Sequence, residues 1–140
     1  MTIFEIRDPI HGFIELNELE WEIVNHRCFQ RLRRIRQLAW TDMVYPSATH
    51  TRFAHSLGVM HVATRLFEAI CSRSNDLLRS EFHMLPEHKP RYRQILRIAA
   101  LAHDLGHGPF SHAAEEVLPF DDQGRQYVHE DYTAAVWKNS

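Results

Sequence analysis

Residues 101–112 read LAHDLGHGPFSH, placing three histidines and an aspartate within twelve positions. His103 and Asp104 close the most apolar stretch of the chain, RYRQILRIAALAHDL. A carboxylate buried there must be paired or metal-bound, because an isolated charge loses too much hydration. Two readings follow. In one, Asp104 pairs with an arginine and His103 is a hydrogen-bonded core histidine. In the other, neighbouring side chains about 100° apart at a helix end grip one divalent ion. Imidazole plus carboxylate suits Mg, Mn, Fe, Ni or Zn without choosing among them. His55, in THTRFAHSLG, offers a ligand from a second helix, an arrangement that fixes metals inside helical scaffolds. His11, His50 and His61 compete with it by residue type. His107 lies four residues beyond His103 and shares its face if the helical turn persists. His112 follows the Gly-Pro break. Gly106 and Gly108 let backbone approach a ligand closely. A histidine pair beside a metal serves phosphate binding or general acid catalysis, whereas a glycine C-cap with exposed imidazoles serves neither.

Stepping outward, Arg27, Arg31, Arg33, Arg34 and Arg36 crowd the segment HRCFQRLRRIRQL. Gln30, Arg33 and Gln37 fall at i, i+3 and i+7, on one face of a helix. The cluster fits phosphate contact or a solvated face paired with glutamates.

These residues need a scaffold. Residues 3–16 predict two short strands around a DPIHG turn, punctuated by Pro9 and Gly12. Asn17 caps a helix over ELEWEIVNH, with Glu18, Glu20 and Glu22 near its positive end. CFQRLRRIRQLA (28–39) predicts a helix with a stripe of Cys28, Leu32, Ile35 and Leu38 or Ala39. Residues 40–50 read as loop, and helix resumes near Thr51 to about residue 80. HMLPEHKP (83–90) is a connection, and 91–105 is a helix stopped by Gly106, Gly108 and Pro109. SHAAEEVLP allows a short helix, and a last helix starts near His129. The fold class is mainly α with a short N-terminal β-hairpin.

With 140 residues the chain suits one domain with a real core. A formal net charge of −2 gives no field that attracts nucleic acid or anionic membrane. Cys28 and Cys71 form no paired motif, which suits reduced thiols in a cytoplasm. No membrane span and no signal peptide is expected. Histidine is the unusual count, 11 in 140.

Taken in order, DPIHGFIEL, FQRLRRIRQL, YPSATHTRFAHSLGV and HDLGHGPFSH resemble the HD-domain phosphohydrolase superfamily, and within it the deoxynucleoside triphosphate triphosphohydrolase branch. The resemblance covers nearly the whole chain. It implies an HD-domain helical bundle, of which residues 1–140 are the N-terminal portion, with hairpin over 1–16 and helices over 17–140. It implies a divalent metal held by His55, His103 and Asp104. A fourth ligand, an aspartate, comes in that family from a helix far downstream of the position of Ser140. The spacing of Asp121, Asp122 and Asp131 marks none of them as a substitute. By the same resemblance His107 and His112 lie beside the substrate triphosphate, and His107, Glu115 and His129 carry proton chemistry. Glu115 stands where the nucleotide-hydrolysing relatives usually have aspartate. Gln37 and Arg52 match positions that contact nucleotide sugar or phosphate. Gln30 and Arg33 match a regulatory-nucleotide surface of some members, and Asn25 replaces the acidic residue that reads guanine there.

The implied reaction is attack at the α-phosphorus of a dNTP, releasing nucleoside and triphosphate. Two alternatives stand beside it: an HD phosphohydrolase acting on another nucleotide or phosphate ester, and a truncated, non-catalytic HD module that binds metal or nucleotide. The expected partners are a nucleotide substrate and either a second copy or a longer relative. Nucleic acid is the least supported partner.

Overall fold

The structure, a computed structural model, describes residues 2–138. Strands β1 (Phe4–Asp8) and β2 (Gly12–Leu16) pair antiparallel, with Ile6 opposite Ile14. The turn between them is closed by Asp8, whose Oδ1 accepts from the Ile10 and His11 amides at 2.9 Å each. Gly12 takes φ +78°, a left-handed conformation that costs glycine little. Helix α1 (Glu18–Asn25) starts at Asn17 in a full capping box. The Asn17 side chain accepts from the Glu20 amide, and the Glu20 carboxylate accepts from the Asn17 amide.

Helices α2 (Arg27–Gln30), α3 (Arg52–Arg73), α4 (Asn75–Phe82), α5 (Lys89–Ala102) and α6 (His129–Lys138) follow. Ion pairs and hydrogen bonds show that α3 and α5 run antiparallel. Lys89 reaches Asn75, Arg93 reaches Glu68, Arg97 reaches Thr64, and Asp104 just past α5 reaches Arg52. The core fills the space between this pair and the N-terminal elements. Ile14 and Leu16 from β2, Val24 from α1, Phe29 from α2, and Leu32 and Ile35 meet Phe53, Leu57, Met60, Leu101 and Leu105.

One buried ionic network ties the hairpin and α1 to that pair. Arg97 donates to both Glu20 oxygens at 2.7 Å, to the Glu15 carbonyl at 2.7 Å and to Thr64 Oγ1 at 3.0 Å. Glu20 is wholly buried. Burial raises its pKa most, but the hydrogen bonds and charge of Arg97, together with the Asn17 amide, hold the carboxyl below its usual range.

The chain departs from the expected helices in three places. The helix expected over 28–39 is only α2 followed by a 3-10 turn at Arg31–Arg34. Ile35 is extended, and Arg36 bridges to Thr51. The Arg52 amide donates to the Ile35 carbonyl at 2.8 Å and the Gln37 amide to the His50 carbonyl at 3.0 Å. These bonds out-compete helix propagation and start a loop that returns at α3. Of the expected stripe, Leu32 and Ile35 are buried and Cys28 is half-buried, but Leu38 is exposed and Ala39 turns the chain at φ +48°; Phe29, outside that stripe, is buried as well. Gln37 therefore does not share a helical face with Gln30 and Arg33. The expected 51–80 helix breaks at Ser74 (φ −121°, ψ 32°), at the start of a Ser-Asn-Asp run of residue types with low helix propensity. Helix α5 starts at Lys89, since Pro90 is tolerated in a first turn, and ends at Ala102, ahead of the glycines.

Candidate metal centre

Past α5, residues 103–107 continue as tight turns, with the Leu105 amide on the Ala102 carbonyl at 3.0 Å and the His107 amide on the Asp104 carbonyl at 3.1 Å. These turns, with the start of α3, bring His55, His103 and Asp104 together. His55 Nε2 lies 3.6 Å from Asp104 Oδ2, and His103 Nε2 lies 3.3 Å from Asp104 Oδ1. One ligand atom from each residue falls within 4.8 Å of the others. His103 Nδ1 is 2.7 Å from the Ala100 carbonyl, which can only accept. A proton is thereby placed on Nδ1, and Nε2, 3.3 Å from Asp104 Oδ1, is the nitrogen left to ligate. This is how a metal-ligating histidine is oriented from behind. Burial, the largest effect, lowers the His55 pKa, partly opposed by Asp104 and reinforced by His103 and Arg52. Its neutral form, the one that ligates, is favoured. The His55 and His103 side chains are 31% and 37% exposed, whereas Asp104 is 6% exposed. The three donors thus close one side of a site and leave the other open, and the set fits a divalent ion with free coordination positions.

Asp104 answers both sequence readings at once. Arg52, 1% exposed, donates to Asp104 Oδ2 at 2.5 Å. The carboxylate is therefore paired with an arginine and also aimed at two imidazoles. Arg52 points inward to this carboxylate, not outward to solvent.

His107 leaves the helical face expected for it, because the α-helix ends at Ala102, yet its Nε2 still comes within 3.5 Å of Asp104 Oδ1. That Nε2 is buried without a hydrogen-bond partner among the described residues. Burial first, then the charges of Arg52 and His129, lower the His107 pKa to about 4. The ring is neutral at neutral pH. It stacks on His129, with centroids 3.7 Å apart and planes at 18°. His129 Nδ1 donates to Glu115 Oε1 at 2.5 Å, and His112 Nδ1 sits 3.2 Å from the same oxygen. Burial pushes the Glu115 carboxyl up, but the hydrogen bond and charge of His129, with His112, hold it below its usual range. His107, His112, Glu115 and His129 thus form a second cluster against the first, joined to it through His107. Gln37 is half-buried at the start of the 38–50 loop, and its amide is bound to His50.

Two residues outside the expected site hold its backbone. Arg31 donates to the Leu105 carbonyl at 2.5 Å and to the His107 carbonyl at 2.9 Å. Its position in a run of arginines suggested phosphate contact or a solvated charged face, not a backbone clamp. Thr133 accepts from the Gly106 amide at 2.8 Å, and its hydroxyl lies 3.3 Å from the His103 carbonyl. Its one sequence signal is that it falls one helical turn after His129. Gln30 and Arg33 bond each other at 2.8 Å, and the Asn25 amide caps the Trp21 carbonyl.

A helical pair carrying histidine on one member and a His-Asp dipeptide at the end of the other defines a class, and the family comparison agrees. The HD domain family model matches residues 52–140, and the chain belongs to that family. Among its relatives is the deoxynucleoside triphosphate triphosphohydrolase SAMHD1 of Xenopus laevis, 40% identical over 138 residues, which are 98% of this chain and 20% of that protein. The human protein of the same name is 39% identical over 99% of this chain and 21% of its own length. An uncharacterized protein, YwfO, of Bacillus subtilis is 38% identical over 93% of this chain and 26% of its own. A crystal structure of a hypothetical protein from Aquifex aeolicus superposes with a TM-score of 0.72 at 37% identity, covering 99% of this chain and 31% of that one. The chain spans about a fifth to a quarter of the curated relatives it matches. Among the described residues, no helix is long and apolar enough to cross a membrane.

Proposed function

We propose that this chain carries the metal-binding half of a phosphohydrolase site of the HD type, acting on deoxynucleoside triphosphates and releasing nucleoside and triphosphate. The observation that carries this reading is the convergence of His55, His103 and Asp104 beside a separate histidine-carboxylate cluster. A divalent ion held by the first group would supply Lewis-acid charge to a phosphoryl oxygen and acidify water. The chain's own residues supply the rest. Arg52 fixes the Asp104 carboxylate in place. His107, whose buried Nε2 has no hydrogen-bond partner among the described residues, would offer its ring to a phosphate oxygen. His112 is the exposed member of the cluster and, by the family resemblance, would contact the phosphates. Glu115 holds the Nδ1 proton of His129, so that His129 Nε2 is the atom that would give a proton to the departing 5′ oxygen as water attacks the α-phosphorus and the P–O5′ bond breaks, the proton lost by the attacking water making good the one given up. Gln37, at the start of the 38–50 loop, is assigned to the nucleotide sugar or phosphate by its resemblance to the family's contact position. The similarity to the SAMHD1 proteins, named as deoxynucleoside triphosphate triphosphohydrolases, supports the substrate class.

The test is product analysis of the purified chain with each dNTP and a panel of Mg, Mn, Fe, Ni and Zn. Equimolar nucleoside and triphosphate, abolished by His103→Ala, is the expected result. Monophosphate or orthophosphate as product would reassign the chain to another HD phosphohydrolase chemistry. Because the chain spans a minor share of its relatives' length, a second reading is a module that binds metal and nucleotide and works only with a second copy or a longer relative. Metal and nucleotide binding without turnover would favour it.

A further inference from the structure

Helix α6 delivers His129 to His107, yet little apolar packing holds it there. No α6 residue is fully buried; Val136 packs against the core from a half-buried position and Trp137 is half-exposed. What seats α6 is polar and specific. The Gly106 amide donates to Thr133 Oγ1 at 2.8 Å, and the Thr133 hydroxyl reaches the His103 carbonyl at 3.3 Å. One hydroxyl thus accepts from and donates to the same turn that carries His103, Asp104 and His107. The fit is backbone against backbone. A methyl group at Gly106 would lie 2.1 Å from the His129 carbonyl oxygen and 2.4 Å from the Thr133 amide nitrogen. Thr133 stands four residues after His129, on the same face of α6 and one turn along, so the tie fixes both the depth and the rotation of the helix that carries the ring.

We infer that Thr133 is a positioning residue that registers α6 against the His103–His107 turn and so sets the stack of His129 on His107. Its catalytic consequence rests on the phosphohydrolase reading, but its structural consequence does not. Valine is close to threonine in shape and lacks the hydroxyl, whereas serine keeps it. In the full chain, Thr133→Val frees the Gly106 amide and the His103 carbonyl from their shared partner, and His129 loses its register.

The experiment compares wild type, Thr133→Val and Thr133→Ser by imidazole nitrogen–proton NMR, with His107→Gln and His129→Gln spectra to assign the two rings. The expected result is that the His107 and His129 signals move in Thr133→Val and return to the wild-type positions in Thr133→Ser, with unchanged metal content in all three. Turnover, measured in parallel, should fall about tenfold or more in kcat at unchanged KM in the valine variant, as expected for a small misplacement of a reacting group, and recover in the serine variant. Unmoved imidazole signals in a folded Thr133→Val chain would overturn the inference, whatever the activity. If the valine variant does not fold, the serine variant decides: displaced His107 and His129 signals there, with the hydroxyl kept, would overturn it. A wild type without turnover, but with the valine shift and serine return of the signals, would count against the phosphohydrolase reading and leave the positioning role supported.

Discussion

Asp104 holds two jobs that a pair of substitutions separates. Its side chain is 6% exposed and its Oδ2 accepts from Arg52, itself 1% exposed, at 2.5 Å. Changing Asp104→Asn removes the negative charge and leaves a guanidinium in a place with almost no solvent. Stripping one partner from a buried ion pair costs about 3–5 kcal/mol, most of it the desolvation of the remaining charge. Asparagine keeps an oxygen for one hydrogen bond, so about 3 kcal/mol is expected. Replacing both members, Arg52→Met with Asp104→Asn, removes the stranded charge and should recover at least half of that loss. Metal binding behaves differently. Both Asp104 variants lose a charged ligand, and neither should retain the ion. The assay is urea unfolding of chelator-treated protein, with elemental analysis of the same preparations after exposure to Mn or Fe. The wild-type chain should also gain about 2.7 kcal/mol when free metal reaches a hundredfold excess over its Kd, and the double variant should gain nothing. An Asp104→Asn cost under about 1 kcal/mol in the metal-free protein would refute the buried-pair argument. A double variant still stabilised by metal would refute the ligand assignment.

Two further outcomes follow from the fold and its titration. Glu20→Ala leaves Arg97 buried with its largest partner gone and should cost about 4 kcal/mol, read as a fall in the urea midpoint; a loss below about 1 kcal/mol would show that the network is solvated. His107, held to about pH 4 by burial and by Arg52 and His129, binds a proton more readily unfolded than folded. The metal-free chain should therefore lose stability as pH falls from about 6.5 towards 4, by up to about 3 kcal/mol. His107→Gln should flatten that slope, and an unchanged pH dependence in this variant would contradict the assignment.

The hairpin, the Asn17 cap, the 40–50 loop and the start of α6 were legible because each depends on local signals: alternation, a capping side chain, proline and glycine. The 28–39 helix was misread because its apolar stripe is real, yet Ile35 and Gln37 exchange helical bonds for bonds to residues 50–52, which no local pattern encodes. The His-Asp pair was legible as a site by residue type and by family resemblance. That Arg52 turns inward to Asp104 depends on how α3 packs on α5, and spacing alone carries no such information. The same holds for Arg31 and Thr133. Both act on backbone carbonyls or amides about 30 to 75 residues away, and a hydroxyl or guanidinium gives no sign in sequence of the distant peptide group it serves.

The central claim is that His55, His103 and Asp104 together hold one divalent ion. Elemental analysis of the purified wild-type chain, alongside His55→Ala, His103→Ala and a His112→Ala control, tests it most directly. One bound ion per chain is expected in the wild type and in the His112 variant, and little or none in the other two. An ion retained at full stoichiometry in His103→Ala, or lost in His112→Ala alone, would place the metal elsewhere and contradict it.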